Sequence, residues 1–284
     1  MACAIRVPAY TAAMQQDHIA FIGGGNMAGA LIGGLIKSGR RPADILVVEP
    51  FEAQREKLAA QHGVLAMSAA DARLATAARV VWAVKPQLFA EAAAPCRPFV
   101  HGALQLSVMA GIRSDTIAAA TGSQRVVRAM PNTPALIGQG ITGLYARDSV
   151  DAAERAAVES LLAPTGRTLW VSDEPDLDAV TALSGSGPAY VFYLLEAMGA
   201  AAAEMGLTPD QGRALAQATV AGAAALAGQS SETPAMLRQQ VTSKGGTTHA
   251  ALTVMEAAGV GPAIVHAIRA AQQRAKELGD QFGA

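Results

Sequence analysis

From His18 the chain reads as an apolar run at Ile19–Ile22, a glycine turn, a helical stretch to about Lys37, a second apolar run at Ile45–Val48 and a polar, helix-like segment at Glu52–Gln61. That order predicts a βαβ unit, since short apolar runs bounded by turn residues form strands and the longer periodic stretch between them forms a crossover helix. Further apolar runs at Val80–Val84, Leu104–Val108 and Arg125–Ala129 extend the pattern. They predict a mostly parallel sheet with helices on both faces, an α/β fold of the doubly wound kind. After Thr168–Val171 no strand-like run remains, and helices are expected to start near Asp176, Ala189, Pro209, Pro234, Thr247 and Gly261. The polar Ser172-Asp173-Glu174-Pro175 stretch reads as a linker or helix start, which divides the chain into 17–174, an α/β domain, and 175–284, an all-helical one.

Alanine and glycine dominate Ala197–Ala227. Small side chains let helices approach closely, either in a tight monomeric bundle or in half of an intertwined dimer core.

Composition narrows the function. The 284 residues are 51% hydrophobic and 16% charged with 28 glycines, the profile of a compact globular protein and not of a disordered one. Twenty-two basic residues against 23 acidic leave a net charge of −1, so no partner is expected among nucleic acids or anionic membrane surfaces, and a small molecule or a second copy is. The two cysteines, Cys3 and Cys96, make no disulfide framework, which fits a reducing cytoplasm. Histidines 18, 62, 101, 249 and 266 are never at metal-ligand spacing, so no metal site is assigned. Residues 1–16, read as an N-terminal extension, hold only Arg6 as a basic residue and no apolar run of signal-peptide length; the apolar Tyr190–Leu195 stretch is interrupted by Glu196, so no membrane span is expected.

The first motif with chemistry is Ile22-Gly23-Gly24-Gly25-Asn26-Met27-Ala28, a G-x-G-x-x-A placed directly after a strand and at the head of a helix. In that setting Gly23 permits the tight turn, Gly25 lets the backbone approach a pyrophosphate, and Ala28 allows close helix–strand packing, with the pyrophosphate on the helix N-terminus. The alternative is a purely structural glycine turn. Glu49 ends the second apolar run, where a carboxylate would bind the adenosine ribose 2′-hydroxyl and repel a 2′-phosphate. Taken alone it favours NADH, whereas Arg55 and Arg41 keep NADPH open, and a merely solvated glutamate is the plain alternative. Ala83-Val84-Lys85-Pro86 closes the next long strand, and Met109-Ala110-Gly111 and Pro131-Asn132 follow the two after it, all at the carboxyl edge where open α/β sheets bind ligands.

Three further motifs follow in order: Arg128-Ala129-Met130-Pro131-Asn132-Thr133-Pro134, Leu183-Ser184-Gly185-Ser186-Gly187-Pro188-Ala189-Tyr190, and Val241-Thr242-Ser243-Lys244-Gly245-Gly246-Thr247-Thr248. Together with the glycine loop they resemble the pyrroline-5-carboxylate reductases from about His18 to Leu278. Lys244 departs from the family's usual proline, and His249 stands where an apolar residue is commoner. The resemblance implies a Rossmann-like N-terminal domain, a helical substrate-binding domain that interlocks with a second subunit, and dimers that often assemble into rings. It also implies the last step of proline biosynthesis, hydride transfer from NADPH or NADH to the C=N bond of 1-pyrroline-5-carboxylate.

On that reading Met109–Gly111 and Pro131–Asn132 face the nicotinamide, and Ser184 and Gly185 shape the substrate pocket, unless the Ser-Gly-Ser-Gly-Pro turn is only architectural. The backbone amides of Ser243, Lys244, Gly245, Gly246, Thr247 and Thr248 are placed to hold the substrate carboxylate. A plain helix cap by Ser243 or Thr247 is the alternative. Thr248 matches the threonine whose hydroxyl meets the ring nitrogen and is the candidate catalytic residue; a hydroxyl is a poor acid, so water can supply the proton. Two rivals remain. A β-hydroxyacid dehydrogenase needs a lysine in a particular helix motif, which neither Lys244 nor Lys276 occupies. The other is a dinucleotide-binding sensor that has lost turnover.

Overall fold

The computed structural model describes residues 18–282, so the 1–16 extension lies outside it. Two compact units are present: one runs to Glu174 and includes the residues from Gly279 on, the other is Pro175–Leu278. The first consists of β1 (His18–Ile22), α1 (Asn26–Lys37), β2 (Ile45–Val48), α2 (Glu52–His62), β3 (Ala66–Met67), β4 (Ala77–Trp82), α3 (Phe89–Val100), β5 (Leu104–Ser107), α4 (Ser114–Thr121), β6 (Val126–Met130), β7 (Gly140–Ala146), α5 (Ala152–Leu162) and β8 (Gly166–Trp170). The strands form one sheet in the order β3-β2-β1-β4-β5-β6-β7-β8. Strands β1 to β6 are parallel, β7 runs antiparallel to β6, and β8 is parallel to β7. The first six strand positions are the dinucleotide-binding order of the doubly wound fold.

The sheet is apolar on both sides, as buried parallel strands require. Alternate residues of β1 and β4 divide between the two faces. Ile19, Phe21 and Val81 pack with Leu31, Ile32 and Leu35 of α1, Leu58 of α2 and Val158 and Leu161 of α5. Ala20, Ile22, Val80 and Trp82 pack with Phe89, Ala93 and Val100 of α3 and Ile117 of α4. Trp82 and Phe89 meet edge to face at 5.2 Å between ring centroids. Trp82 is also tied to Gln105, fully buried, whose Oε1 accepts from Trp82 Nε1 at 2.9 Å while its Nε2 donates to the carbonyls of Val100 at 2.8 Å and Ala103 at 2.9 Å. Burial pushes the Cys96 thiol up to about 11, which leaves it unreactive at neutral pH.

Strands β3 and β7 are additions to the pattern expected from sequence, and the expected Val80–Val84 run starts and ends earlier, as Ala77–Trp82. Ala83 and Val84 therefore stand just beyond the strand end. The helix expected near Gly261 begins at Val260 and the one near Ala189 at Gly187.

The second unit contains α6 (Asp176–Val180), a π-helical turn (Thr181–Gly185), α7 (Gly187–Glu204), α8 (Pro209–Gln229), α9 (Pro234–Gln240), α10 (Thr247–Ala257) and α11 (Val260–Phe282), the last turn of α11 belonging to the first unit. Thr208 and Gln211 form a reciprocal cap at the start of α8. Helices α7 and α8 approach closely where Gly212 meets Ala202: a Cβ on Gly212 would lie 2.8 Å from that of Ala202. Beyond such small-residue contacts this unit has little interior. Leu177 is its only large apolar side chain that is buried, whereas Phe192, Tyr193, Leu215, Val254, Met255 and Ile264 are exposed. Among the described residues no single helix is long and apolar enough to cross a membrane; α10 and α11 reach that length together only across a 54° bend.

Candidate active site

Because β1, β2, β4, β5 and β6 are parallel, the loops at their carboxyl ends share one edge of the sheet. Those loops carry Ile22–Met27, Glu49, Ala83–Pro86, Met109–Gly111 and Pro131–Asn132, so the fold brings all the expected cofactor residues to one side. From adjacent β1 and β4 the chain leaves to opposite faces, into α1 and α3 respectively. The crevice opened there is where ligands of this architecture bind.

The glycine loop shows why its residues are small. Gly23 has φ +94°, a left-handed conformation, and a Cβ there would stand 2.7 Å from the Ala83 carbonyl oxygen. Its N–H donates to the Val48 carbonyl at 2.9 Å, which ties the loop to the end of β2. A Cβ on Gly24 would meet Leu58 Cδ1 at 2.6 Å. Gly25 differs: it is exposed, and nothing lies within 4 Å of where its Cβ would be. It is the N-cap of α1, with no side-chain cap and no acidic residue in the first turn. The first amides of α1 thus face outward beside Asn26 and Met27 with the positive end of the helix dipole behind them, a cradle that fits a pyrophosphate.

Glu49, the expected ribose ligand, instead turns inward: the residue is 6% exposed, its Oε2 accepts from Gly24 N at 2.8 Å and its Oε1 from Phe51 N at 2.9 Å. Gln54 Nε2 donates to the Gly24 carbonyl, so the Gly24 peptide is gripped at both ends. A carboxylate placed where two backbone amides converge gains more by satisfying them than by facing solvent. The two arginines also separate. Arg41 precedes β2, at the opposite edge, and pairs with Asp44 at 2.7 Å. Arg55 sits at the carboxyl edge, donating through Nη1 to the carbonyls of Glu49 at 3.0 Å and Pro50 at 2.7 Å.

Along the rest of the edge, Ala83, Val84 and Pro86 are half-buried and Lys85 is exposed. The Met109 side chain is buried in the core, and its N–H donates to Ser107 Oγ at 3.2 Å, so at this edge it has only its backbone to offer a ligand. Asn132 Oδ1 accepts from Ile141 N at 3.0 Å, fastening the loop after β6 to β7, while Pro131 is buried. Arg128, which opens the same motif, is buried and pairs with Glu174 at 2.8 Å; Glu174 also accepts from Ser114 N and Ser114 Oγ, each at 2.6 Å. That network holds the end of the first unit.

In the second unit the Ser243–Thr248 segment turns into α10. Gly245 has φ +76°, which favours glycine, and the N-cap is Gly246, with no side-chain cap. Neither Ser243 nor Thr247 caps the helix, so the first amides of α10 are left for another acceptor. A Cβ on Gly246 would lie 2.5 Å from Ser243 Oγ. Lys244 and His249 are exposed, and Thr248 is half-buried in the first turn. Ser184 and Gly185 occupy a separate element, the π-helical turn, where Ser184 Oγ donates to the Val180 carbonyl at 3.0 Å. Gln54 escaped sequence reasoning, since no motif marks it; Tyr190 ends the Leu183–Tyr190 motif, which assigns it no role, and its hydroxyl donates to the Ala182 carbonyl at 3.0 Å.

Residues 174–278 match a family model for pyrroline-5-carboxylate reductase dimerisation, and residues 18–111 one for coenzyme F420-dependent NADP oxidoreductase. The chain is 42% identical over 272 residues to the pyrroline-5-carboxylate reductase of Pseudomonas aeruginosa, covering 95% of this chain and 100% of that protein. To the enzyme of Haemophilus influenzae it is 41% identical, again over 95% of this chain and 100% of that protein. Among solved structures, a pyrroline-5-carboxylate reductase from Coxiella burnetii superposes with a TM-score of 0.85 at 37% identity, covering 93% of this chain and 98% of that one. The pyrroline carboxylate reductase of Plasmodium falciparum, solved with NADP bound, gives 0.83 at 25% identity, covering 94% and 99%. This chain belongs to the pyrroline-5-carboxylate reductase family.

Proposed function

We propose that the protein reduces 1-pyrroline-5-carboxylate to L-proline with a nicotinamide dinucleotide. The observation that carries this reading is a pair of uncapped helix N-termini, at Gly25 on α1 and at Gly246 on α10, each opened by a glycine turn and each suited to an anion. The first serves the cofactor pyrophosphate and the second the substrate carboxylate. When bound, the nicotinamide supplies a hydride to the imine carbon. The protein's own part is positioning. Backbone amides of Gly246, Thr247 and Thr248 anchor the carboxylate, Thr248 Oγ1 orients the ring nitrogen, and the proton on that nitrogen comes from water. Residues 17–174 are taken as the dinucleotide-binding domain, and residues 175–284 as the helical substrate-binding and dimerisation domain.

The inward Glu49 carboxylate does not guard the strand end against a 2′-phosphate, and the Arg55 guanidinium stands beside it. This supports NADPH being used at least as well as NADH, a shift from the preference that an acidic residue at this position suggests. The exposed apolar side chains of Pro175–Leu278 support a dimer over a monomeric bundle, since an isolated unit would leave them in water. The two cysteines, Cys96 being buried, support a reducing compartment, the cytoplasm.

Oxidation of NADPH, followed by its near-ultraviolet absorbance and dependent on added pyrroline-5-carboxylate, tests the function. Tight NADPH binding without such turnover would favour the sensor reading instead. Light scattering tests the assembly: a stable, active monomer overturns it.

A further inference from the structure

The π-helical turn at Thr181–Gly185 is held by an unusual exchange of partners. Ser186 N–H donates to the Thr181 carbonyl at 2.8 Å, five residues back, where an α-helix would send it to Ala182. The Ala182 carbonyl, on a residue that is buried, receives the Tyr190 hydroxyl at 3.0 Å in place of that amide. Pro188, at the second position of α7, offers no N–H to the preceding turn. Thr181 Oγ1 and Ser184 Oγ both donate to carbonyls of the turn before, those of Leu177 at 2.7 Å and Val180 at 3.0 Å. Of these ties the Tyr190 hydroxyl is the one that satisfies the carbonyl an α-helical register would claim.

We propose that Tyr190 is a positioning residue of the reductase: its hydroxyl holds the Thr181–Gly185 turn in π form, and that form presents Ser184 and Gly185 to the imino-acid substrate. The inference rests on the reading that this turn lines the substrate pocket. Without the hydroxyl, a buried carbonyl is left short of a donor, or Ser186 N–H returns to Ala182 and the turn rewinds by one residue. Either outcome moves Ser184 and Gly185 and leaves the glycine loop, on the other unit, unchanged.

The test uses Tyr190→Phe in the full-length enzyme, which keeps the ring and removes only the oxygen. The expected result is a KM for pyrroline-5-carboxylate raised about three- to tenfold, the worth of one neutral hydrogen bond, with NADPH affinity unchanged and the variant still folded at the assay temperature. Hydrogen exchange in the peptide spanning Thr181–Gly187 should quicken alongside. Faster exchange with an unchanged KM overturns the proposal, because the tie is then architectural only. A raised KM with unaltered exchange overturns it too, because the hydroxyl then acts on the ligand and not through the turn. Ser184→Val separates the underlying reading: if bulk in the turn leaves the substrate KM unmoved, the turn is not part of the pocket, whatever Tyr190 does to exchange.

Discussion

Replacing Glu49 by glutamine distinguishes a brace for the glycine loop from a ligand for the ribose. In the structure each carboxylate oxygen accepts one backbone amide, Gly24 N at 2.8 Å and Phe51 N at 2.9 Å, in a setting almost closed to water. A glutamine keeps one acceptor and sets an NH2 against the other amide, donor facing donor. The loss is one charge-assisted hydrogen bond, about 1.5–3 kcal/mol, and little solvent is at hand to offset it. Gly24 precedes Gly25, the proposed pyrophosphate contact, so a loosened loop must be reordered whenever cofactor binds. The dissociation constants for NADH and NADPH should both rise, by roughly ten- to a hundredfold, since each 1.4 kcal/mol is about a factor of ten and the pyrophosphate is common to both. Titration of cofactor fluorescence with Glu49→Gln, beside a urea melt to confirm folding, gives the answer. Selective loss of NADH, with NADPH unchanged or tighter, would refute the reasoning, because that pattern belongs to a carboxylate facing the ribose.

Other substitutions probe the same construction. Gly25→Val should abolish cofactor binding while costing at most about 1 kcal/mol of stability, because its φ of −67° is ordinary and no atom lies within 4 Å of the new Cβ; a folded variant with normal NADPH affinity would rule out the loop. Arg55→Ala should weaken NADPH about tenfold and NADH little, measured as the ratio of kcat/KM for the two cofactors. Thr248→Ala should lower kcat/KM for the imino acid by roughly ten- to a hundredfold, the loss of one oriented hydrogen bond, and full activity would move the polar partner of the imine elsewhere. Gln105→Leu strands the Trp82 N–H and two carbonyls in the core and should destabilise the protein by about 3 kcal/mol or more in urea unfolding, with cofactor affinity spared.

What sequence could and could not disclose follows from what each feature depends on. The β1–glycine–α1 unit and the starts of α8, α9 and α10 were legible because local signals specify them: an apolar run, a turn requiring glycine, a Thr-Pro helix start. Strand β7, Gly-Ile-Thr-Gly-Leu-Tyr-Ala, carries two glycines and no apolar run, and its pairing partner β6 decides its form. Strand β3 is two residues long and offers no period to detect. An acid at the end of β2 is visible, but its direction depends on where the Gly24 amide points, a property of the folded loop. Gln54 acts through a backbone group distant in the chain, which no residue pattern encodes, and Tyr190, though it stands in a motif, acts through a carbonyl freed only by the displaced register of the π-helical turn. The uncapped start of α10 was open in sequence because Ser243 and Thr247 are both good caps; only the backbone turn at Gly245 and Gly246 removes them from that role.

The thin interior of Pro175–Leu278 makes stability a matter of mass action. With Leu177 as its only large buried apolar side chain, this unit gains little free energy from folding alone. In the proposed dimer its native helices form together with those of the second copy, so unfolding releases two chains, and the equilibrium carries units of concentration. Dilution should lower the melting temperature with no change in buffer or sequence. The amount of protein a cell makes becomes one of the terms that keep each molecule folded.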